Sequence, residues 1–134
     1  MPSIRCTVVS PERPLFEGAA ERVVAQGAKG QIAVYPRHAP LIAKLDPGVV
    51  RIVRSDADGG DERFAVSGGF LQVRKDVVTI LVSDATRRED LDRAKLDQDI
   101  AENLEALRHP RNDEEYRELQ RRRASLAAQS SILG

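Results

Sequence analysis

The chain is poor in the residues from which metal sites and disulfides are built. Its 134 residues include one cysteine and two histidines. A single Cys6 excludes an intrachain disulfide, and its threonine and valine neighbours place it on a strand as a packing residue. Cys6, His38 and His109 have no metal-ligand spacing, whereas a zinc site takes four such ligands, or three and a water. An excess of one charge is missing too. With 21 basic residues against 21 acidic ones, neither the basic stripe of a nucleic-acid binder nor a polybasic membrane patch is expected. No apolar run approaches the roughly 18 residues of a membrane span. The opening MPSIRCTVVS lacks the apolar core of a signal peptide and the arginine-rich character of a transit peptide. A soluble chain that begins in a reducing cytoplasm is expected.

Catalytic motifs are equally sparse. GAKG (27–30) lacks the spacing and the following Ser/Thr of a phosphate loop and reads as a tight turn. Ser67-Gly68-Gly69 is followed by no strand-to-helix transition, so it reads as a turn or bulge that needs glycine rather than a nucleophile elbow. His38 has Arg37 and Ala39 beside it and no carboxylate partner in the sequence. His109 stands at a helix end, where an imidazole is a good cap. Pro36 and Pro40 fix the backbone around His38, and Tyr35 offers an apolar body with a polar tip. The stretch VYPRHAPL (34–41) therefore reads as a shaped, protruding contact turn.

What is present falls into two halves of different period. Up to about Asp84 there are short, β-branched segments at 3–10, 20–27, 30–36, 48–55, 62–67, 69–75 and 76–83, divided by glycine and proline. Several alternate apolar with polar. DADGGD (56–61) reads as an exposed hairpin tip. After Thr86 glycine vanishes until the last residue and Pro110 is the only proline. Thr86 and Glu89 fit a capping box leading to Leu91, Leu96, Ile100, Leu104 and Leu107. Asn112 and Glu115 fit a second, leading to Tyr116, Leu119, Leu126 and Ala127. Asp113, Glu114 and Glu115 lead that helix and Arg121, Arg122 and Arg123 follow, which suits the macrodipole. The expected fold is α+β in sequence order: an antiparallel β-sandwich or flattened barrel over residues 1–85, then an antiparallel helical hairpin over 86–134.

Two helices of this size cannot stand alone, so the hairpin must lean on the sandwich or on another protein. At roughly 25 cal/mol per Å² of apolar area, thin stripes make its docking worth only a few kcal/mol. A partner can move such an element, since about 5.5 kcal/mol of differential binding inverts a 1:99 population.

The ordered set of Thr7–Ser10, LFEG (15–18), YPRHAPL (35–41), PGVVRIV (47–53) and SGGFLQV (67–73), followed by a helical hairpin, resembles the epsilon subunit of the bacterial F-type ATP synthase. The resemblance implies a non-catalytic rotor subunit, bound to the gamma shaft and seated on the c-subunit ring. It would lie peripherally at the cytoplasmic side of the bacterial membrane. It would couple ring rotation to ATP synthesis in the alpha/beta head, and its hairpin would open along the shaft to inhibit ATP hydrolysis. Carried onto this chain, Gln31, Tyr35, Arg37 and His38 would form the contact with ring and shaft. Many relatives have an acid at Gln31 and some a small residue at Arg37.

Relatives that bind ATP between the helices carry Ile/Leu-Asp-x-x-Arg-Ala. REDLDRAKLD (88–97) matches it in neither register: counting from Leu91-Asp92 puts Lys95 and Leu96 in place of Arg-Ala, and ending at Arg93-Ala94 puts Glu89 before Asp90. The resemblance thus implies no required cofactor. It leaves ATP as a ligand on a degraded motif of Asp90, Asp92, Arg93 and Lys95, with Arg121 and Arg122 facing phosphates. The same resemblance gives Arg121, Arg122 and Arg123 a second role, meeting an acidic loop of the beta subunit when the hairpin opens. Two other classes stay open on residues alone: a stand-alone ATP-sensing module, and a small sandwich enzyme that lacks any acid/base or nucleophile constellation.

Overall fold

The computed structural model describes residues 3–134. It contains β1 (Ile4–Val9), β2 (Pro14–Ala20), β3 (Arg22–Gly27), β4 (Gly30–Val34), β5 (Leu41–Leu45), β6 (Gly48–Val53), β7 (Glu62–Val66), β8 (Gly69–Arg74), β9 (Val77–Val82) and the short β10 (Ala85–Thr86). Two helices follow, α1 (Arg93–Leu107) and α2 (Asp113–Leu133). The strands form one curled sheet in the order β10-β7-β6-β3-β5-β8-β9-β1-β2, with β4 on the free side of β3. All pairings are antiparallel except β1 with β9. The curl makes two layers that meet over a single core. Alternation builds that core: Ile4, Cys6 and Val8 point inward from β1, and Val78, Ile80 and Val82 from β9. Phe64, Ile52 and Leu71 fill its centre.

Glycine is obligatory at the start of β8. Gly69 has φ +151, and an added Cβ would overlap the Leu81 carbonyl oxygen of the neighbouring strand. The Ser67-Gly68-Gly69 motif is thus a close backbone approach. Three strands, β2, β5 and the short β10, lie where the sequence reading has none. β2 opens on Pro14 and carries Gly18, which its place at the sheet end tolerates because it pairs only with β1. β5 is five residues wedged behind Pro40, too short to show a period.

The helical half departs from expectation at its start. Thr86 does not cap a helix, because its backbone is committed to β10, opposite Ala65. The chain makes a 3₁₀ turn at Arg88–Asp90, and α1 begins at Arg93 after two intervening residues. Its cap is Asp92, whose carboxylate accepts the Ala94 N–H at 2.9 Å. Asn112 does cap α2, accepting the Glu115 N–H at 2.8 Å. The Glu115 carboxylate turns to Arg111 instead of closing the box. Because α2 runs to Leu133, Arg121–Arg123 sit in its middle and its last turn holds no base. Only the leading acids, Asp113, Glu114 and Glu115, are placed to complement the macrodipole.

The packing faces are also rotated. Asn103, not Leu104, is buried in α1, and Ala128, not Ala127, in α2. Seven residues separate Leu96 from Asn103, almost two full turns, whereas Leu104 falls well off that line. α2 lies on β6 and β7, where Ala128 and Ile132 bury against Ala65, with Val49 and Leu91 alongside. α1 packs on α2 and makes no comparable contact with the strands. The whole hairpin is therefore held by one small, alanine-rich contact, worth on the order of a few kcal/mol. Among the described residues, no helix is long and apolar enough to cross a membrane.

Candidate contact surfaces and helical switch

The turn after β4 is built by hydrogen bonds. The Tyr35 carbonyl accepts the His38 N–H at 3.2 Å, with Pro36 and Arg37 as the central residues. Arg37 has φ 67, the left-handed conformation that the third place of a type II turn demands. Glycine fits there best, so Arg37 carries a backbone cost of about 1 kcal/mol. Its N–H is anchored across the fold by Asp76 Oδ1 at 2.6 Å. Asp76 belongs to the β8–β9 turn, where Lys75 and Asp76 take φ 49 and 60, and its carbonyl accepts the Arg5 N–H at 2.9 Å. His38 Nδ1 donates to the Ala39 carbonyl at 2.6 Å, which leaves Nε2 as its outward group. The side chains of Tyr35 and Arg37 are exposed.

Gln31 is not part of that turn. It stands at the other end of β4, roughly 13 Å away along the strand, opposite Gln26 in the β3–β4 hairpin. Its neighbours are the residues of a cleft of about 470 Å³ between Gly27–Ile32 and Leu41–Lys44, where the sheet splits between β4 and β5. The four expected contact residues thus form two spots joined by one edge strand.

A third surface was missed by reading the sequence. On the outer face of the β5-β8-β9 layer, Ile42 is 74% exposed, Phe70 53% and Leu81 50%, and Val77 is exposed on the same face at the far end of β9. Register places Phe70 opposite Leu81, and Leu81 beside Val9 of β1. Apolar side chains clustered on the solvent side of a sheet mark a surface that another protein covers. The only sequence signal is that Phe70 sits in phase with Gln72 and Arg74, on the polar side of its strand.

In the hairpin most of the candidate nucleotide residues are already engaged by other groups of the helices. Asp92 caps α1, Arg93 lies 3.6 Å from Asp97, and Lys95 reaches Asp99 at 3.0 Å. Asp99 also faces Arg122 of α2 at 3.7 Å and is only 20% exposed. Among the described residues this is the one ion pair between the helices. The fold brings Lys95 and Arg122 together but puts a carboxylate between them, so a phosphate would have to displace Asp99. Asp90 ends the 3₁₀ turn, and Arg121 lies over the Gly68 turn. Arg121 and Arg123 form no ion pair among the described residues and remain available to an acidic partner. Among those residues too, no three His, Cys, Asp or Glu side chains converge as metal ligands. Burial pushes the Cys6 thiol up to about 12, which makes it a poor nucleophile.

Residues 3–88 match the family model for the ATP synthase, Delta/Epsilon chain, beta-sandwich domain. The chain is 41% identical over 133 residues to the ATP synthase epsilon chain of Xanthomonas euvesicatoria, covering 99% of this chain and 94% of the relative. It is 41% identical over 117 residues to the epsilon chain of Chromohalobacter salexigens, covering 87% and 81%. Among solved structures it is similar to a chain of the Euglena gracilis mitochondrial ATP synthase, OSCP/F1/c-ring in rotational state 1. There the TM-score is 0.85 at 19% identity, over 100% of this chain and 83% of that one, a likeness of fold. With its sandwich matched by the family model and bacterial epsilon chains matched nearly end to end, this chain belongs to the ATP synthase delta/epsilon chain family.

Proposed function

We propose that this chain is a non-catalytic rotor subunit that couples ring rotation to ATP synthesis and restrains ATP hydrolysis through its helical hairpin. The observation that carries the reading is the exposed apolar face of Ile42, Phe70, Val77 and Leu81, which a lone stable domain has no reason to display. The gamma shaft is the partner assigned to that face. The spots at Gln31 and at Tyr35, Arg37 and His38 are assigned to the polar loops of the c ring, which would hold the chain peripherally at the cytoplasmic side of the bacterial membrane. The hairpin is suited to a brake because α2 makes its main attachment to the sandwich through a small contact. When it opens, Arg122 exchanges Asp99 for an acidic group in the alpha/beta head, together with Arg121 and Arg123. Such exposed pairs are worth about 0–1 kcal/mol each, which keeps the exchange reversible. Nucleotide is not required in this reading, because Lys95 and Arg122 already share Asp99.

The test is reconstitution with Phe70→Asp and Leu81→Asp. Both side chains point to solvent in the free chain, so the variants should fold normally yet fail to co-purify with a gamma-type subunit. Full co-purification of both would dispose of the assigned face. Calorimetric ATP binding by the isolated wild-type chain at millimolar affinity or tighter would instead favour a nucleotide-sensing module.

A further inference from the structure

The residue that leads out of the sandwich is held by three different contacts. Arg87 directly follows β10 and has an extended backbone. Its guanidinium donates to the Leu15 carbonyl of β2 at 2.6 Å and lies 3.8 Å from Glu62 of β7. Its Cζ stands 4.9 Å over the Phe64 ring. The other oxygen of Glu62 accepts from Arg54 at 3.3 Å. Arg54 in turn donates to the Gly60 carbonyl at 3.0 Å and covers the Phe16 ring of β2 at 4.9 Å. In sheet order β2 is one end, and β7 with β10 is the other. Two arginines sharing one glutamate thus lace the open seam of the curled sheet.

Past Arg87 the holding changes partner. Arg88, Glu89 and Asp90 are exposed, and the 3₁₀ turn they form touches α2. Leu91 packs into the same small cluster as Ala128 and Ile132. The hydrogen bond, ion pair and ring contact that fix Arg87 all come from the sandwich, and the apolar anchor of the next segment is shared with α2. We infer that Arg87 is the fixed end of the hinge on which the hairpin opens. The chain through Arg87 stays with the sandwich, residues 88–92 change conformation, and Leu91 departs with α2. Without Arg87 the two-residue strand β10 keeps only the small Ala85 side chain against the core, and it peels with the linker. This inference rests on the proposed mobility of the hairpin but on no partner subunit.

Amide hydrogen exchange on the isolated full chain tests it. The doubly substituted Ala128→Glu/Ile132→Glu chain places two carboxylates in the docking contact and releases α2. The hinge reporters are the Asp90 and Leu91 amides, which donate to the Arg87 and Arg88 carbonyls, and the anchor reporter is Ser67, whose amide donates to the Asp84 carbonyl. Release should speed Asp90 and Leu91 by about tenfold or more and leave Ser67 within about twofold. Adding Arg87→Ala should then speed Ser67 by about tenfold, as loss of a charge-assisted hydrogen bond implies. Arg87→Lys keeps the charge without the planar fork and should fall between. Should Arg87→Ala unfold the sandwich, the Lys variant alone decides by the same comparison. Ser67 exchanging as fast as Leu91 on release alone, or staying unmoved when Arg87 is changed, overturns the assignment. An assembly whose hairpin never opens would sink the brake and leave this exchange pattern intact.

Discussion

Replacing Asn103 by leucine should lock the hairpin shut. Asn103 is 6% exposed in the seam between the helices, and its amide donates to the Leu119 carbonyl at 3.0 Å. That carbonyl lies within α2 and keeps its own helical donor, so removing Asn103 strands no acceptor. The loss is one hydrogen bond, a net of about 0.5–1.5 kcal/mol. The gain is a leucine side chain of similar size buried in a seam that already holds Leu96 and Leu126, about 1.5–3 kcal/mol. The balance favours the closed helix pair by about 1–2 kcal/mol, a shift of roughly 5–30-fold in the closed-to-open ratio. Exchange protection at the Leu96 amide, which donates to the Asp92 carbonyl, should rise accordingly in the isolated chain. ATP hydrolysis by the reconstituted assembly should become less inhibited. Asn103→Ala, which loses the bond and gains nothing, should move both readings the other way. If Asn103→Leu lowered protection, or the two variants moved together, the assignment of Asn103 as a polar weak point in an apolar seam would be refuted.

Other consequences can be checked on the isolated chain. Arg37→Gly relieves the left-handed backbone at the contact turn and should raise stability by about 0.5–1 kcal/mol in urea unfolding, whereas Arg37→Val should lower it. Asp76→Ala leaves the exposed Arg37 N–H to water and should cost about 0.5–1.5 kcal/mol in the same assay. The Asp61 carboxyl is held below its usual range, chiefly by the Arg51 hydrogen bond and with help from the Arg54 N–H. Its contribution is therefore present above the unfolded pKa of about 3.9 and is lost as pH falls through the lower folded value. Asp61→Asn should destabilise at pH 7 and match wild type in strong acid, and a gap that persists in acid would count against the ion pair. Cys6 should resist maleimide at pH 8 in the native chain and react on unfolding, because burial keeps its thiol protonated.

The sequence was most legible where a period or a cap is written locally. The alternation from Val49 to Ile52 stands as read and breaks only at Val53, which is buried next to Ile52, and the Asn112 cap stands too. It was least legible where distant pairing decides. Thr86 and Glu89 are a sound capping signal, but Ala85 and Thr86 find a partner in Ala65 and Val66 twenty residues back, and the ladder wins. Leu104 looks like a core residue by type, yet helical phase gives its place to Asn103. The apolar face was hidden because Phe70 and Leu81 come from different strands and become neighbours only through register. Arg87 gave no sign at all, since its acceptor, the Leu15 carbonyl, is 72 residues away. The shape of the turn that holds Tyr35, Arg37 and His38 was legible from Pro36 and Pro40. Asp99, whose carboxylate joins the helices, was one acid among seven on its stretch of chain.

The proposed brake requires the hairpin to leave the sandwich, so the decisive measurement is to forbid that movement reversibly. Ala65→Cys and Ala128→Cys place two thiols in the single docking contact, and Cys6 is too buried to interfere. In the reconstituted assembly, the oxidised chain should support ATP synthesis and fail to inhibit hydrolysis, with inhibition returning on reduction. Equal inhibition in the oxidised and reduced forms would contradict a brake that works by opening.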